Sequence, residues 1–142
     1  MKKTALLSIV LLGLTACSQG VEEMTDRTAS PCGDKPNCVS TQDNRPDHNL
    51  SPFELNDGVT LDQIEAVVLT QPRTKTADKT DNYLRVEFTS KIMRFVDDLE
   101  LKIEGNNLIV RSESRIGHSD FGVNRKRADA LRVALTEAKL VK

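Results

Sequence analysis

The side chains best suited to chemistry in this sequence lie in one segment, residues 111–132. The segment has six basic residues against three acidic ones, which is a local charge of +3 in a chain whose formal charge is −1. Arginine binds a carboxylate or a phosphate through paired hydrogen bonds. The segment therefore predicts a site for an anion, either a small molecule or the head group of a lipid.

The predicted site lies at the polar end of a strand and in the loop that leads to the last helix. Arginines would contact the anion, hydroxyl groups would donate hydrogen bonds, and the free N–H groups of the helix start would add positive potential. Strict alternation along the strand places Arg111 and Arg115 on the face opposite the serines, unless a bulge intervenes. The predicted ligand-binding residues are Arg111, Ser112, Ser114, Arg115, Ser119, Asn124 and Arg125.

The same segment also fits a purely structural role. Asp97, Asp98 and Asp120 would then pair with arginines and fix the loop, and Asp120 or Asn124 would cap the last helix. The arginines available for these pairs are Arg94, Arg111 and Arg125. This interpretation needs no ligand.

A third interpretation is catalytic. Asp97, Asp98, His118 and Asp120 carry groups that act as general acids or bases in hydrolases and transferases. The sequence has no Gly-Lys-Ser/Thr phosphate loop, no Gly-x-Ser-x-Gly turn and no His-Glu-x-x-His motif. Its two histidines are too far apart in sequence for a zinc pattern, so no metal or cofactor is predicted. An enzyme is the least favoured of the three interpretations.

Hydrophobic spacing predicts the elements that position these residues. Thr60 and Gln63 resemble a capping box, and apolar residues at helical spacing follow as far as Pro72. Alternating apolar residues predict strands, and an apolar stripe predicts a last helix. The result is an α+β fold, in which an antiparallel sheet of three to four strands carries two helices on one face. The predicted strands are 83–89, 98–103 and 108–115, with 73–80 as an edge strand, and the last helix is 123–140.

The first residues predict export and a lipid anchor. Two lysines precede an apolar run of about ten residues, which is too short to span a bilayer. The sequence Leu14-Thr15-Ala16-Cys17 then resembles the lipobox of bacterial lipoproteins. The resemblance implies removal of residues 1–16 and attachment of fatty acids such as palmitate to Cys17. Position 18 is Ser and not Asp, which favours anchoring in the outer membrane. The protein would then lie on the inner leaflet of that membrane and face the periplasm. The alternative is an ordinary secretory signal that happens to precede a cysteine.

The other two cysteines, Cys32 and Cys38, are predicted to form a structural disulfide, which the oxidising periplasm favours. A loop this short adds about 2 kcal/mol of stability in the chain-entropy model. The chain then divides into four parts. These are a signal peptide at 1–16, a lipidated flexible tether at 17–31, a disulfide loop and irregular segment at 32–58, and a compact α+β domain at 59–142.

Composition argues against several other classes of protein. The chain has 142 residues, of which 38% are hydrophobic and 29% charged, and this predicts one globular domain rather than a disordered chain. The nearly neutral charge argues against a nucleic-acid binder. With 4% aromatic residues and no Trp, stacking platforms for bases or sugars are not expected.

Three motifs carry a resemblance to a known family. They are Cys32 to Gln42, Arg94 to Asp98 and Arg111 to Arg127, and they are similar to the domain-of-unknown-function 1499 family. The similarity covers most of the chain from Cys32 onward and departs from the family slightly at Thr41 and Glu113. It implies an exported or envelope protein and supports the domain limits, but it implies no substrate.

The sequence therefore predicts an outer-membrane lipoprotein whose periplasmic domain binds an anionic ligand or an envelope component. Its predicted partners are the membrane, reached through the lipid anchor, and an anionic small molecule, a lipid or an envelope protein; nucleic acid is not among them. Two alternatives stay open. One is a structural or assembly factor that acts through protein contacts, and the other is a hydrolase or transferase.

Overall fold

The computed structural model describes residues 25–142. The predicted signal peptide and Cys17 lie outside the described residues. Within them, the strands and helices follow in the order β1 Cys38–Ser40, β2 Phe53–Glu54, α1 Leu61–Val68, β3 Thr74–Lys79, β4 Tyr83–Thr89, β5 Val96–Glu104, β6 Asn107–Ser114 and α2 Val123–Glu137.

The strands form one antiparallel sheet with the order β1-β6-β5-β4-β3, and β2 pairs with β6 as well. The α+β class and the antiparallel sheet are confirmed, but the predicted three to four strands are too few. The two strands missed by the prediction are β1 and β2, which pair Val39 with Ser112 and Phe53 with Leu108. With three and two residues, they are too short to show an alternating pattern.

Residues before position 59 are part of the packed domain. Leu50, Phe53 and Leu55 are buried in the core, although they belong to the segment predicted to be irregular. Thr28, in the predicted tether, is fully buried, and Arg27 forms ion pairs with the sheet. Hydrophobic spacing does not reveal such a segment, because polar contacts and isolated apolar residues hold it in place.

Both helices lie where the sequence predicts them and pack on one face of the sheet. The capping box of α1 is present, since the side chains of Thr60 and Gln63 each accept from the other's backbone N–H. The buried residues of α1 are Leu61, Ile64 and Val68, and those of α2 are Asn124, Ala128, Leu131 and Leu135. Neither helix is long and apolar enough to cross a membrane in the part of the chain that is described.

The two faces of the sheet have different chemistry. The face under the helices is aliphatic, and its fully buried residues are Leu84, Val86, Leu99, Leu101, Leu108 and Val110. The opposite face carries alternating positions of the same strands, so it exposes charged side chains to the segment that crosses it, residues 26–30. The residues on the opposite face include Arg85, Asp98, Glu100 and Arg111, all of them buried.

Candidate functional site

The structure does not bring the seven predicted ligand-binding residues into one site. Strand β6 has no bulge over these positions, so Ser112 faces the helices and Arg111 faces the other way. Arg115 lies beyond the end of β6 and contacts the same side as Arg111, because both contact carboxylates of the charged face. The predicted site is therefore divided between the two faces of the sheet.

Arg111 is a structural residue of the charged face. It is 4% exposed, and its Nη2 donates to Glu113 Oε2 at 3.0 Å while Nη1 donates to the carbonyl oxygen of Ser30 at 2.9 Å. Its Nε is buried without a hydrogen-bond partner, 3.8 Å from Glu100 Oε2. These contacts tie β6 to the N-terminal segment and leave Arg111 out of reach of a solvent anion.

Arg115 is held by two carboxylates of the same face. Its Nε and Nη2 both donate to Asp98 at 2.8 Å, and Nη2 also donates to Glu87 at 2.7 Å. Burial opposes ionisation of Asp98, but the hydrogen bonds and charges of Arg115 and Arg85 outweigh it, so the pKa of the Asp98 carboxyl is lowered. The hydrogen bonds to Asp98 in turn raise the pKa of Arg115.

Together these residues form a balanced ionic network, which we call the charged cluster. Glu100 is fully buried at its centre and accepts hydrogen bonds from Arg27 and from the hydroxyl of Tyr83. Burial and this carboxylate raise the pKa of Tyr83. The cluster contains four arginines and four carboxylates, so its charges cancel: Arg27, Arg85, Arg111, Arg115, Glu87, Asp98, Glu100 and Glu113.

On the helix side, Ser112, Ser114 and Asn124 form a buried network that joins β6 to α2. The Ser112 hydroxyl donates to Asn124 Oδ1 at 2.6 Å. Asn124 Nδ2 donates to Ser114 Oγ at 2.9 Å and to the carbonyl oxygen of Asn37 at 3.0 Å. Arg127, which was not among the predicted site residues, completes the network by donating to Ser112 and Asn124. The side chains of this network therefore hydrogen-bond mainly to one another.

The predicted structural pairs form with other partners. Asp97 pairs with Arg127 at 2.6 Å, and Asp98 pairs with Arg85 and Arg115, rather than with Arg94, Arg111 or Arg125. The reason is the strand register, which points neighbouring residues of β5 to opposite faces. Arg94 is exposed in the β4–β5 loop, with a φ of 57°.

The loop before α2 is fixed by local hydrogen bonds. Asp120 accepts from the backbone N–H groups of Gly122 and Asn124, as a capping side chain does. Ser119 Oγ accepts from the N–H of Phe121. Arg125 donates to the carbonyl oxygens of Asn49 and Asp47, so it fastens α2 to the segment before β2.

The four candidate catalytic residues do not converge. Asp97 and Asp98 lie on opposite faces of β5, and each is paired with arginine. Asp120 accepts from the backbone N–H of Asn124 at the start of α2, and His118 is exposed in the loop.

The disulfide between Cys32 and Cys38 is confirmed, with a Cα–Cα distance of 5.7 Å. Asp43 and Arg45 clamp the chain beside it. Asp43 accepts from the N–H of Cys32 at 3.0 Å, and Arg45 donates to the Cys32 carbonyl oxygen at 2.6 Å. The hydrogen bond from Arg45 is the main reason that the pKa of Asp43 lies well below its usual value.

An apolar cavity of about 270 Å³ opens on the helix side of the sheet, between the end of α1 and the first half of α2. Its apolar wall consists mainly of Val67, Val68, Phe88, Leu99, Val123 and Leu131. Ala130 and Ala134 also line it, one helical turn apart on α2, and their small side chains leave room. That spacing is a signal of the cavity in the sequence, and sequence reasoning missed it.

Three basic residues border this cavity: Arg73, Lys126 and Arg127. Arg127 is neutralised by Asp97, and its guanidinium lies 4.5 Å from the centre of the Phe88 ring. Arg73 and Lys126 are exposed, and neither forms an ion pair with a carboxylate of residues 25–142. The cavity thus combines an apolar wall with two unneutralised positive charges.

A family model described as a protein of unknown function, DUF1499, matches residues 28–135. The chain belongs to the DUF1499 family. The match covers the charged cluster apart from Arg27, the disulfide and the cavity, while Cys17 lies outside it. No curated protein and no solved structure matches this DUF1499 chain.

Proposed function

We propose that this DUF1499 protein is a lipid-anchored protein of the bacterial outer membrane whose periplasmic domain binds an amphipathic anion. The alkyl chain of the ligand would occupy the cavity between α1, α2 and the sheet. Its carboxylate or phosphate would lie near Arg73 and Lys126. The observation that carries the proposal is the apolar wall beside two cationic side chains that have no carboxylate partner within residues 25–142.

The size of the cavity limits the ligand. A cavity of roughly 150 Å³ accommodates benzene, so one of about 270 Å³ accommodates an alkyl segment of roughly ten carbons. Burial of each methylene group contributes roughly 0.8 kcal/mol, and the exposed cations add orientation more than affinity. Medium-length fatty acids, alkyl phosphates and the chain ends of lipids share this chemistry.

The charged face supports anion binding less well. It also has a cavity, of about 290 Å³, which Arg27, Asp98, Glu113 and Arg115 line. Each of these arginines is already paired with carboxylates, so an incoming anion would have to break an existing ion pair. The helix side has no such cost at Lys126 and Arg73.

The proposed location rests on the first residues of the chain. The lipobox-like sequence that ends in Cys17 supports the anchor, and the disulfide suits an oxidising compartment. An anchored domain stays next to lipids, which supply amphipathic anions.

Native mass spectrometry tests the proposal. Residues 18–142 would be exported behind an ordinary signal peptide and purified gently from the envelope. We expect a bound mass of an alkyl carboxylate or phosphate, which is lost in Ala130→Phe because the aromatic ring narrows the cavity. Val133→Phe is the matched control, since Val133 is 59% exposed on the same helix and does not line the cavity.

A clean mass without ligand in the unmodified protein would contradict the proposal. A ligand retained in Ala130→Phe would also contradict it, because that ligand would then bind elsewhere. A clean mass would instead favour an assembly factor that acts through protein contacts.

A further inference from the structure

One end of the sheet carries most of the large exposed hydrophobic side chains in residues 25–142. Six of the eight such residues lie there, and we call them the apolar tip: Ile92, Met93, Phe95, Ile116, Phe121 and Val123. They come from the β4–β5 loop, the β6–α2 loop and the first residue of α2. Asp97 pairs with Ser114 across β5 and β6, which brings the two loops to the same end. Solvent-exposed apolar groups in such a cluster mark an interaction surface.

The backbone holds one tip residue and one residue between two others in an unfavourable conformation. Phe121 has a φ of 53° and is 90% exposed, and Arg94, between Met93 and Phe95, has a φ of 57°. The left-handed region is unfavourable for residues other than glycine, and residues held in it cluster at functional sites. The Phe121 ring is therefore presented to solvent at a cost in stability.

The charges around the tip are basic. Lys91 and Arg94 lie within the first loop and are exposed, and neither forms an ion pair within residues 25–142. Of the nearby carboxylates, Asp97 is neutralised by Arg127, and Asp120 keeps one negative charge against the two positive charges of Lys91 and Arg94. The unneutralised charge at the tip is thus positive.

We infer that the apolar tip docks on an anionic membrane surface. Protruding apolar side chains bury themselves at the boundary of head groups and acyl chains, while neighbouring lysine and arginine attract anionic lipids. The tip supplies both groups on two loops, next to the mouth of the cavity, since Val123 belongs to both. The inference extends the proposed function, because a docked tip places the cavity at the lipid surface.

The point where the described chain begins is compatible with this docking. Thr25 lies near Tyr83 and Lys102, at the end of the sheet away from the tip. From Lys102 to Val96 along β5 is roughly 20 Å at about 3.4 Å per residue. Thr25 is eight positions after Cys17 in the sequence, and a chain of that length spans at most roughly 27 Å. With the proposed anchor, the domain would lie along the membrane and contact it at both ends.

Tryptophan fluorescence tests this inference, because the chain contains no Trp. The full chain would carry Phe121→Trp and be reconstituted into vesicles of anionic or zwitterionic lipids, with brominated acyl chains as the quencher. Val133→Trp on the outer side of α2 is the control. We expect a blue shift and loss of emission for Phe121→Trp in anionic vesicles, little change in zwitterionic ones, and none for Val133→Trp. Adding Lys91→Glu and Arg94→Glu to Phe121→Trp should restore its emission in anionic vesicles.

Three outcomes would overturn the inference. One is emission from Phe121→Trp that stays unquenched while the protein floats with anionic vesicles. Another is quenching of Phe121→Trp that is equally strong in anionic and in zwitterionic vesicles. The third is shielding in intact envelopes but not in vesicles, which would indicate a protein partner.

The test separates this inference from the proposed function. Flotation with the vesicles shows whether the protein is anchored. Adding Ala130→Phe alters the cavity and leaves the tip unchanged, because Phe121 does not line the cavity. Quenching that persists with Ala130→Phe would support the tip even if no ligand binds the cavity.

Discussion

The two faces of the sheet bury side chains by opposite means. Under the helices, aliphatic residues pack and leave an apolar cavity beside two unneutralised cations, Arg73 and Lys126. On the other face, four arginines and four carboxylates pair with one another where the N-terminal segment crosses the sheet. A ligand can enter the first face without breaking an ion pair, but it must disrupt pairs to enter the second.

This difference explains why a local excess of arginine along the sequence does not by itself locate unneutralised positive charge. Charge counted along the chain includes arginines whose carboxylate partners are distant in sequence. Arg111 meets Glu100, and Arg115 meets Glu87 and Asp98, only after the strands pair. The sites with unneutralised charge are found by subtracting such pairs, which requires the fold.

Breaking the charged cluster should have the largest effect on stability. Glu100→Ala removes the fully buried carboxylate that Arg27 and Tyr83 contact, and it leaves Arg111 with fewer neutralising charges. Removing one partner of a buried pair costs about 3–5 kcal/mol. Urea denaturation should show that loss in the free energy of unfolding, against little change for the exposed Glu137→Ala. A loss as small as that of the control would mean that the cluster is not structural.

Breaking the polar link on the helix side should cost less. Asn124→Ala removes the buried acceptor of the Ser112 hydroxyl and the amide donor to the Ser114 hydroxyl, while the carbonyl oxygen of Asn37 keeps the N–H of Ser114. A lost buried hydrogen-bond partner costs about 1–3 kcal/mol. The same denaturation measurement, with exposed Asn44→Ala as the control, checks this. Equal stability of the two variants would contradict the role of Asn124 in joining β6 to α2.

The disulfide should contribute about 2 kcal/mol, since its loop is short. Replacing Cys32 and Cys38 together by Ser should lower the free energy of unfolding by that amount. Wild type in reductant should match the double variant. If reductant also destabilised the double variant, the effect would not come from this bond.

A smaller effect is expected in the acid range. The lowered pKa of Asp98 means that the unfolded state takes up its proton first as the pH falls. The resulting stability is present at neutral pH and is lost progressively below the ordinary carboxyl value of about 4. Asp98→Asn should therefore show a shallower loss of stability on acidification than wild type, whereas exposed Asp129→Asn should not. An unchanged acid slope in Asp98→Asn would contradict this assignment.

Much of the fold follows from local patterns. The capping box of Thr60 and Gln63, the alternation in Tyr83–Thr89 and the stripe of α2 predict their elements because burial repeats at a fixed spacing. The short strands β1 and β2 lack enough residues to repeat, and they form because β6 offers them an edge. The disulfide was predictable because it joins neighbours in sequence.

The candidate site was less predictable. Alternation correctly separates Arg111 from Ser112, but nothing local shows that Arg27 crosses the sheet to Glu100 and Glu113. The cavity depends on the distance between two helices far apart in sequence. A local sign of it in the sequence is the pair Ala130 and Ala134, which are one helical turn apart.

The most direct test of the contrast between the faces is a titration with decanoate and with decyl phosphate on two matched variants. Ala130→Phe narrows the apolar cavity, and Gly33→Phe narrows the polar one, where no atom lies within 4 Å of an added Cβ. We expect wild type and Gly33→Phe to bind alike, and Ala130→Phe to lose at least about tenfold in affinity, or 1.4 kcal/mol. Loss of binding in Gly33→Phe with retention in Ala130→Phe would place the ligand on the charged face and contradict the account.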